Sequence, residues 1–293
     1  MTPLCQGGVR AGHSKAIPGL GEKGDRTTSS SQFVDFTGDR VVTSLTQCAE
    51  QVRGLIDAWN ITGEKSLWFR GHSDFTWGLT PGLHRWPKGA YHERELVRDF
   101  AIHSPRFLDH APASGLGRLA VMQHYGMPTR LLDWTESYLV ALWFAVEGPG
   151  HGGDAALWAM RPAYLNRETL GEHSIPPEGD SRLRDHVLPD PETRIRTVRA
   201  SRPAAFRPVR TSARIVAQRG TFTVHGADQR PLDVILEELH GTATKGMQAA
   251  KLRIPADSRH EILTELRFAG ITDSTVFPEL SGISREIFRR YVG

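Results

Sequence analysis

Apolar positions along the chain follow two periods, and these predict most of its elements. Leu45, Cys48, Val52, Leu55, Ile56 and Trp59 recur at helical spacing behind Ser44 and Gln47, which have the form of a capping box. Residues 66–69 read as a strand that runs into a turn through Gly71 and Ser73. A second helix is predicted over 93–103, with Leu96, Val97 and Phe100 inward and Pro105 ending it. A third covers 116–125, closed by Gly126 as a left-handed C-cap. Residues 128–135 read as a short polar turn and 137–147 as a strongly apolar helix.

After the glycine-rich break at 148–153, residues 155–160 read as a strand. The Pro- and Arg-rich stretch 161–210 shows little periodicity and is predicted to be a long functional loop or partly disordered. Residues 213–217 and 221–225 read as short strands around Gly220, 231–240 as a helix, and 251–254 as a strand. A helix over 257–268 carries Ser258 and Glu261 as a second capping box, 275–277 is a last strand, and 283–292 a final helix. Residues 1–32, rich in Gly, Ser and Thr, read as a flexible tail before one domain over 33–293. The absence of regular βαβ alternation argues against a doubly wound parallel sheet. The expected class is α+β, with mixed or antiparallel sheets and surrounding helices.

Composition narrows the chemistry. At 293 residues, 39% hydrophobic and 24% charged, the chain has the make-up of an ordinary globular protein. No apolar run approaches the ~20 residues of a membrane span. The two cysteines, Cys5 and Cys48, provide no disulfide framework, so a cytoplasmic location is expected. Charge is uneven: 182–219 holds ten arginines against three acids, a net +7, which leaves −4 for the rest of a chain whose total is +3. Such a stretch suits an anionic partner, RNA or DNA, with Arg194, Arg196, Arg199, Arg202, Arg207 and Arg210 as candidate contacts. Solvated surface charge is the competing reading. The glycine pattern of 19–24 has no strand before it and is set aside as a dinucleotide fingerprint. Phosphate-loop, nucleophile-elbow and zinc-helix motifs are absent, and the scattered histidines suggest no metal site.

Two segments concentrate reactive side chains. Arg70, at the end of a predicted strand and beside Gly71 and His72, is placed to meet a phosphate if Gly71 lets a ligand approach the backbone. Pairing with Asp74 is the alternative. Residues 123–135 pack Gln123, His124, Tyr125, Thr129, Arg130, Asp133 and Thr135 into one junction, where polar groups must satisfy one another or line a pocket. Asp133 or Thr135 capping the next helix, or Arg130 paired with Asp133, would be structural explanations.

Together these segments resemble the FRG domain family, whose name-giving triplet stands here as Phe69-Arg70-Gly71. The likeness extends through Leu79-Thr80-Pro81, Leu83-His84-Arg85, the block 123–135, Ala141-Leu142-Trp143-Phe144-Ala145 and 215–222. The layout is more distantly similar to arginine-first ADP-ribosyltransferases. That similarity implies an ADP-ribosyltransferase-like fold and NAD as substrate. Arg70, Gly71, His72, His124, Tyr125, Thr129, Arg130 and Thr135 would bind NAD, and Asp133 and Gln218 would act in catalysis. It also implies a role in bacterial defence or as a toxin, on a nucleic-acid or protein acceptor, with a non-catalytic nucleotide- or nucleic-acid-binding module as the alternative. The chain departs from that pattern at one position: Arg214 stands where the usual catalytic glutamate would be. Either Asp133 takes that role, the nucleophile needs little deprotonation, or the pocket binds without catalysis.

Overall fold

The computed structural model describes residues 34–62, 67–108, 110–148, 152–188, 197–242 and 247–292. The predicted tail and the arginines at 194 and 196 lie outside them. In chain order the elements are β1 (Val34–Asp35), α1 (Leu45–Ala58), β2 (Trp68–His72), α2 (Gly89–His103), α3 (Gly115–His124), β3 (Leu131–Thr135), α4 (Tyr138–Glu147), β4 (Ala155–Met160), α5 (Pro162–Leu170), β5 (Ala204–Phe206), α6 (Ala213–Ala217), β6 (Gly220–Val224), α7 (Leu232–Thr242), β7 (Ala249–Ile254), α8 (Arg259–Phe268), α9 (Asp273–Val276) and α10 (Leu280–Tyr291).

All six residues of β4 are buried, and its alternating side chains serve two cores. Ala155, Leu157 and Ala159 join a cluster with α1, α4 and α8, through Leu55, Leu142 and Ile262 among others. Ala156, Trp158 and Met160 join a second cluster on the other face, closed by Leu232, Leu236 and Leu239 of α7 and Leu165 of α5. A third cluster packs Leu116, Leu119 and Met122 of α3 against Leu131, Phe206, Phe222 and Val224, with Leu96, Val97 and Phe100 of α2 at its edge.

The seven strands form one mixed sheet in the order β1-β7-β4-β2-β3-β6-β5. Only β1 and β7 run parallel, in keeping with the α+β expectation. The sheet has a weak line. β2 pairs with β4 at five positions and β3 with β6 at five, but β2 and β3 share only the pair Phe69–Thr135. Beyond that pair the two strands part.

Several sequence expectations are corrected. Residues 131–135 form a strand, not a polar turn: Leu132 and Trp134 face one core and Leu131 another, a pattern that Asp133 and the polar neighbours obscure. The stretch 161–210 is structured in its described parts, with α5, a 3-10 turn at Ser181–His186 and the three-residue β5. Residues 213–217 are helical because Ser212 accepts the Ile215 N–H at 3.2 Å, a cap that overrides the β-branched Ile215 and Val216. Residues 273–276 are helical for a similar reason, a complete Thr272–Thr275 capping box. The box expected at Ser258 does not form, and at Ser44 only half of one does, since Gln47 Oε1 accepts the Thr43 N–H instead.

Arg130 is a structural lock. It is 2% exposed, its Nε donates to Glu93 Oε1 at 2.7 Å, and it donates to the carbonyls of His225, at 3.1 Å, and His186. Beside it, His84 and His225 meet edge to face with centroids 5.3 Å apart. Burial, followed by the charge of Arg130, lowers His84 to about 4; burial, followed by His84, lowers His225 to about 3. Both take up protons nearer 6.5 when unfolded, so the unfolded chain binds more protons below that pH. Stability is therefore full above pH ~6.5 and falls as the pH drops toward the two folded values. Thermal melts between pH 7 and 4 are expected to show this loss, and His225→Leu should flatten the dependence; an unchanged slope would remove His225 from it.

Candidate functional site

Where β2 and β3 part, a cavity of about 320 Å³ opens, within the usual ~300–1,000 Å³ range of small-molecule sites. Its walls come from β2, β3, β6, α3, α4 and α6, together with Trp77 and Arg85 from the segment after β2. Arg70 lies across the seam. Its Nη1 donates to the Asp133 carbonyl at 2.6 Å and lies 3.7 Å from Asp133 Oδ2. Asp133, rather than Asp74, is thus its carboxylate neighbour, and that side chain is 62% exposed at the mouth. Burial holds the Arg70 pKa below its ordinary value, Asp133 opposes the shift, and the nearby charge of Arg85 adds to it.

His72 supports Arg70. Arg70 Nε donates to His72 Nε2 at 2.9 Å, and Trp158 Nε1 lies 3.2 Å from His72 Nδ1. A neutral imidazole accepts at only one ring nitrogen, so at most one of these two N–H groups is bonded to it at a time. Burial, then Arg70 and Arg85, push its pKa well below the usual value. His72 is therefore a neutral positioning group. Gly71 borders the cavity and also admits the helix: a Cβ there would lie 2.0 Å from the Ala141 carbonyl oxygen and 2.5 Å from Ala145 N. The small residues Ala141 and Ala145, one turn apart, let α4 press onto β2.

The block 123–135 divides between this cavity and the core. Gln123, His124, Asp133 and Thr135 line the cavity. Thr135 Oγ1 donates to the Gln218 carbonyl at 2.6 Å and accepts the Ser137 N–H, while Ser137, not Asp133 or Thr135, caps α4. Tyr125, 65% exposed beyond the end of α3, is not a wall residue. Thr129 and Arg130 are also away from the cavity: Thr129 Oγ1 donates to Gln123 Oε1, and Arg130 pairs with Glu93 rather than Asp133. Gln218 lines the cavity, but its Nε2 is committed to the Val276 carbonyl at 3.2 Å.

The cavity also holds residues that the sequence did not assign to it. Arg85 reaches the wall with Nε and Nη2 both donating to the Thr80 carbonyl, at 3.1 and 3.0 Å. Arg214, on the α6 wall, stacks over Phe277 at 4.6 Å, and burial with its charge lowers the pKa of His124. Thr221, 1% exposed, brings a hydroxyl with no hydrogen-bonding partner among the described residues. Phe69, Trp77, Phe144 and Phe222 supply aromatic surface. Three guanidinium groups thus border the cavity, with Asp133 as the one carboxylate among its lining residues. Only the register of the folded chain unites Arg70, Arg85 and Arg214; no local spacing reveals it.

The arginine-rich segment behaves differently from its reading as a free basic surface. Arg207 and Arg210 close on the buried carboxylate of Glu136, at 3.4 and 3.1 Å, and Arg202 lies 3.6 Å from Glu238. Arg199 borders a separate hollow with Arg184, Glu178 and Asp185. Cys48 is buried, which pushes its thiol up to about 12. No group of three or more His, Cys, Asp or Glu side chains arranged to hold a metal occurs among the described residues, and no helix there is long and apolar enough to cross a membrane.

The family model described as FRG domain matches residues 65–153, a segment that holds β2, Arg85, α3, β3 and α4, and so supports the FRG family. No curated protein and no solved structure matches the chain.

Proposed function

We propose that the cavity binds NAD through its diphosphate and that the protein transfers ADP-ribose. The observation that carries this reading is the convergence of Arg70, Arg85 and Arg214 on one aromatic-lined cavity with the Asp133 carboxylate at its mouth. Clustered guanidinium groups repel one another, and an anionic ligand relieves that repulsion through forked, charge-assisted hydrogen bonds. Arg70 and Arg85 would hold the diphosphate. Asp133, next to Arg70, would face the ribose as positive charge develops at C1′ during loss of nicotinamide. The unpartnered Thr221 hydroxyl offers a hydrogen bond to the ligand. The defence or toxin setting rests on the family resemblance.

Asp133→Asn is expected to slow nicotinamide release from labelled NAD about 100-fold with the fold unchanged, since this side chain is exposed. Arg70→Ala is expected to weaken NAD binding roughly tenfold or more, read by calorimetry. Neither binding nor release in the parent protein would refute the proposal. Binding without release would favour a nucleotide-recognition module, a second reading that the commitment of Gln218 to Val276 and the presence of Arg214 on the α6 wall both favour.

A further inference from the structure

We infer that the acceptor is the terminal phosphate monoester of a nucleic-acid strand, an inference that rests on the transferase reading above. A neutral hydroxyl or amide acceptor must lose a proton as it attacks, which calls for a base on the acceptor side. The α6 wall offers none. Arg214 occupies it and Gln218 is tied to Val276, while His124 comes from α3 and has Arg214 as its neighbour, so a proton taken up by that imidazole would meet the guanidinium charge. Asp133 lies on β3 beside Arg70 and is already assigned to the ribose. A guanidinium in this place fits an acceptor that arrives as an anion.

Arg214 is built for such a contact. Phe277 supports its guanidinium at 4.6 Å, and the same ring carries Arg285 at 4.7 Å. No carboxylate lies within ion-pair distance of Arg214 among the described residues. The approach also carries arginines: Arg207 and Arg210 both contact the Glu136 carboxylate, and the Glu136 N–H donates to the carbonyl of the exposed Arg219 at 3.2 Å. Glu136 follows the lining Thr135, and Arg219 stands between the lining Gln218 and Gly220, so these arginines form a positive track beside the cavity along which a polyanionic strand can approach. A strand with a free phosphate end satisfies both the track and the wall, which favours nucleic acid over a protein carboxylate.

The step balances without a proton transfer. A non-bridging oxygen of the phosphate dianion attacks C1′ of the nicotinamide-bearing ribose. The C1′–N bond breaks, its electron pair goes to the ring nitrogen, and nicotinamide leaves neutral. The new C1′–O–P linkage is a singly charged diester, so total charge is conserved.

The test incubates the full chain with adenylate-labelled NAD and single-stranded oligonucleotides of one sequence ending in a 5′-phosphate, a 3′-phosphate or hydroxyls only, as DNA and as RNA. Label is expected on a phosphate-ended strand and absent from the hydroxyl-ended one. Arg214→Gln is expected to lower the ratio of transfer to nicotinamide release roughly tenfold or more. Equal labelling of hydroxyl-ended strands, labelling of bases, or labelling of protein carboxylates would each overturn the inference, as would nicotinamide release with no transfer to any strand. In all of these nicotinamide is still released, so the transferase or glycohydrolase chemistry survives. Absence of release with every acceptor would instead refute the underlying function.

Discussion

Glu93→Leu is expected to lower the stability of the folded chain by about 3–5 kcal/mol. The substitution leaves the Arg130 guanidinium, 2% exposed, with only the carbonyls of His186 and His225 for company. Arg130→Met should cost less, because the remaining Glu93 carboxyl can take a proton and burial already raises its pKa. The double substitution should recover part of the loss, and the two carbonyls left without a donor account for the remainder. Urea unfolding of the four proteins forms the cycle that measures this coupling. If Glu93→Leu unfolds within about 1 kcal/mol of the parent, the pair is not the lock described above. Because Arg130 is remote from the cavity, any ligand affinity should follow the folded fraction in this series.

Gly71→Ala is the second large effect, at about 3 kcal/mol, the upper end for overpacking. The added methyl would meet the Ala141 carbonyl oxygen at 2.0 Å, and that atom is backbone of a buried helix with no side-chain rotation available to relieve the contact. Gly126→Ala is the useful control. It too replaces a glycine, at φ +85°, but nothing lies within 4 Å, so only the left-handed backbone cost of about 1–2 kcal/mol remains. Thermal and urea melts of the two variants separate steric from conformational cost. A Gly71→Ala protein as stable as Gly126→Ala would mean that α4 does not press on β2 as described.

The sequence was most readable where one face of an element meets one core. The Leu45–Ala58 helix, the apolar Tyr138–Glu147 helix and the Ala155–Met160 strand are evident from periodicity because their burial is strong and continuous. It was least readable at Leu131–Thr135, which buries apolar residues on both faces yet turns Asp133 to solvent at the seam. The site was half legible. Arg70, His72, His124, Asp133, Thr135 and Gln218 all border the cavity, whereas Tyr125, Thr129 and Arg130 belong to the surface or the core. A motif records which residues travel together and not the purpose of each. Arg70 and Gly71 both border the cavity, but one brings a side chain to it while the other lacks one so that α4 can pack closely. That Arg85 and Arg214 share one cavity with Arg70 was hidden for the opposite reason, since they are far apart in the chain and only the fold brings them together.

The single pair joining β2 to β3 has an implication for how such a site diverges. One bank of the cavity, with Arg70 and Arg85, is anchored through β2 to β4 and α4. The other, with Arg214 and Thr221, belongs to β6 and α6 and is anchored toward β5 and α9. Few backbone bonds cross between them, so substitutions on the second bank can accumulate without disturbing the first. A lineage built on this scaffold can keep one grip constant while it exchanges the other, and kinship in the first bank then foretells little about what the second one holds.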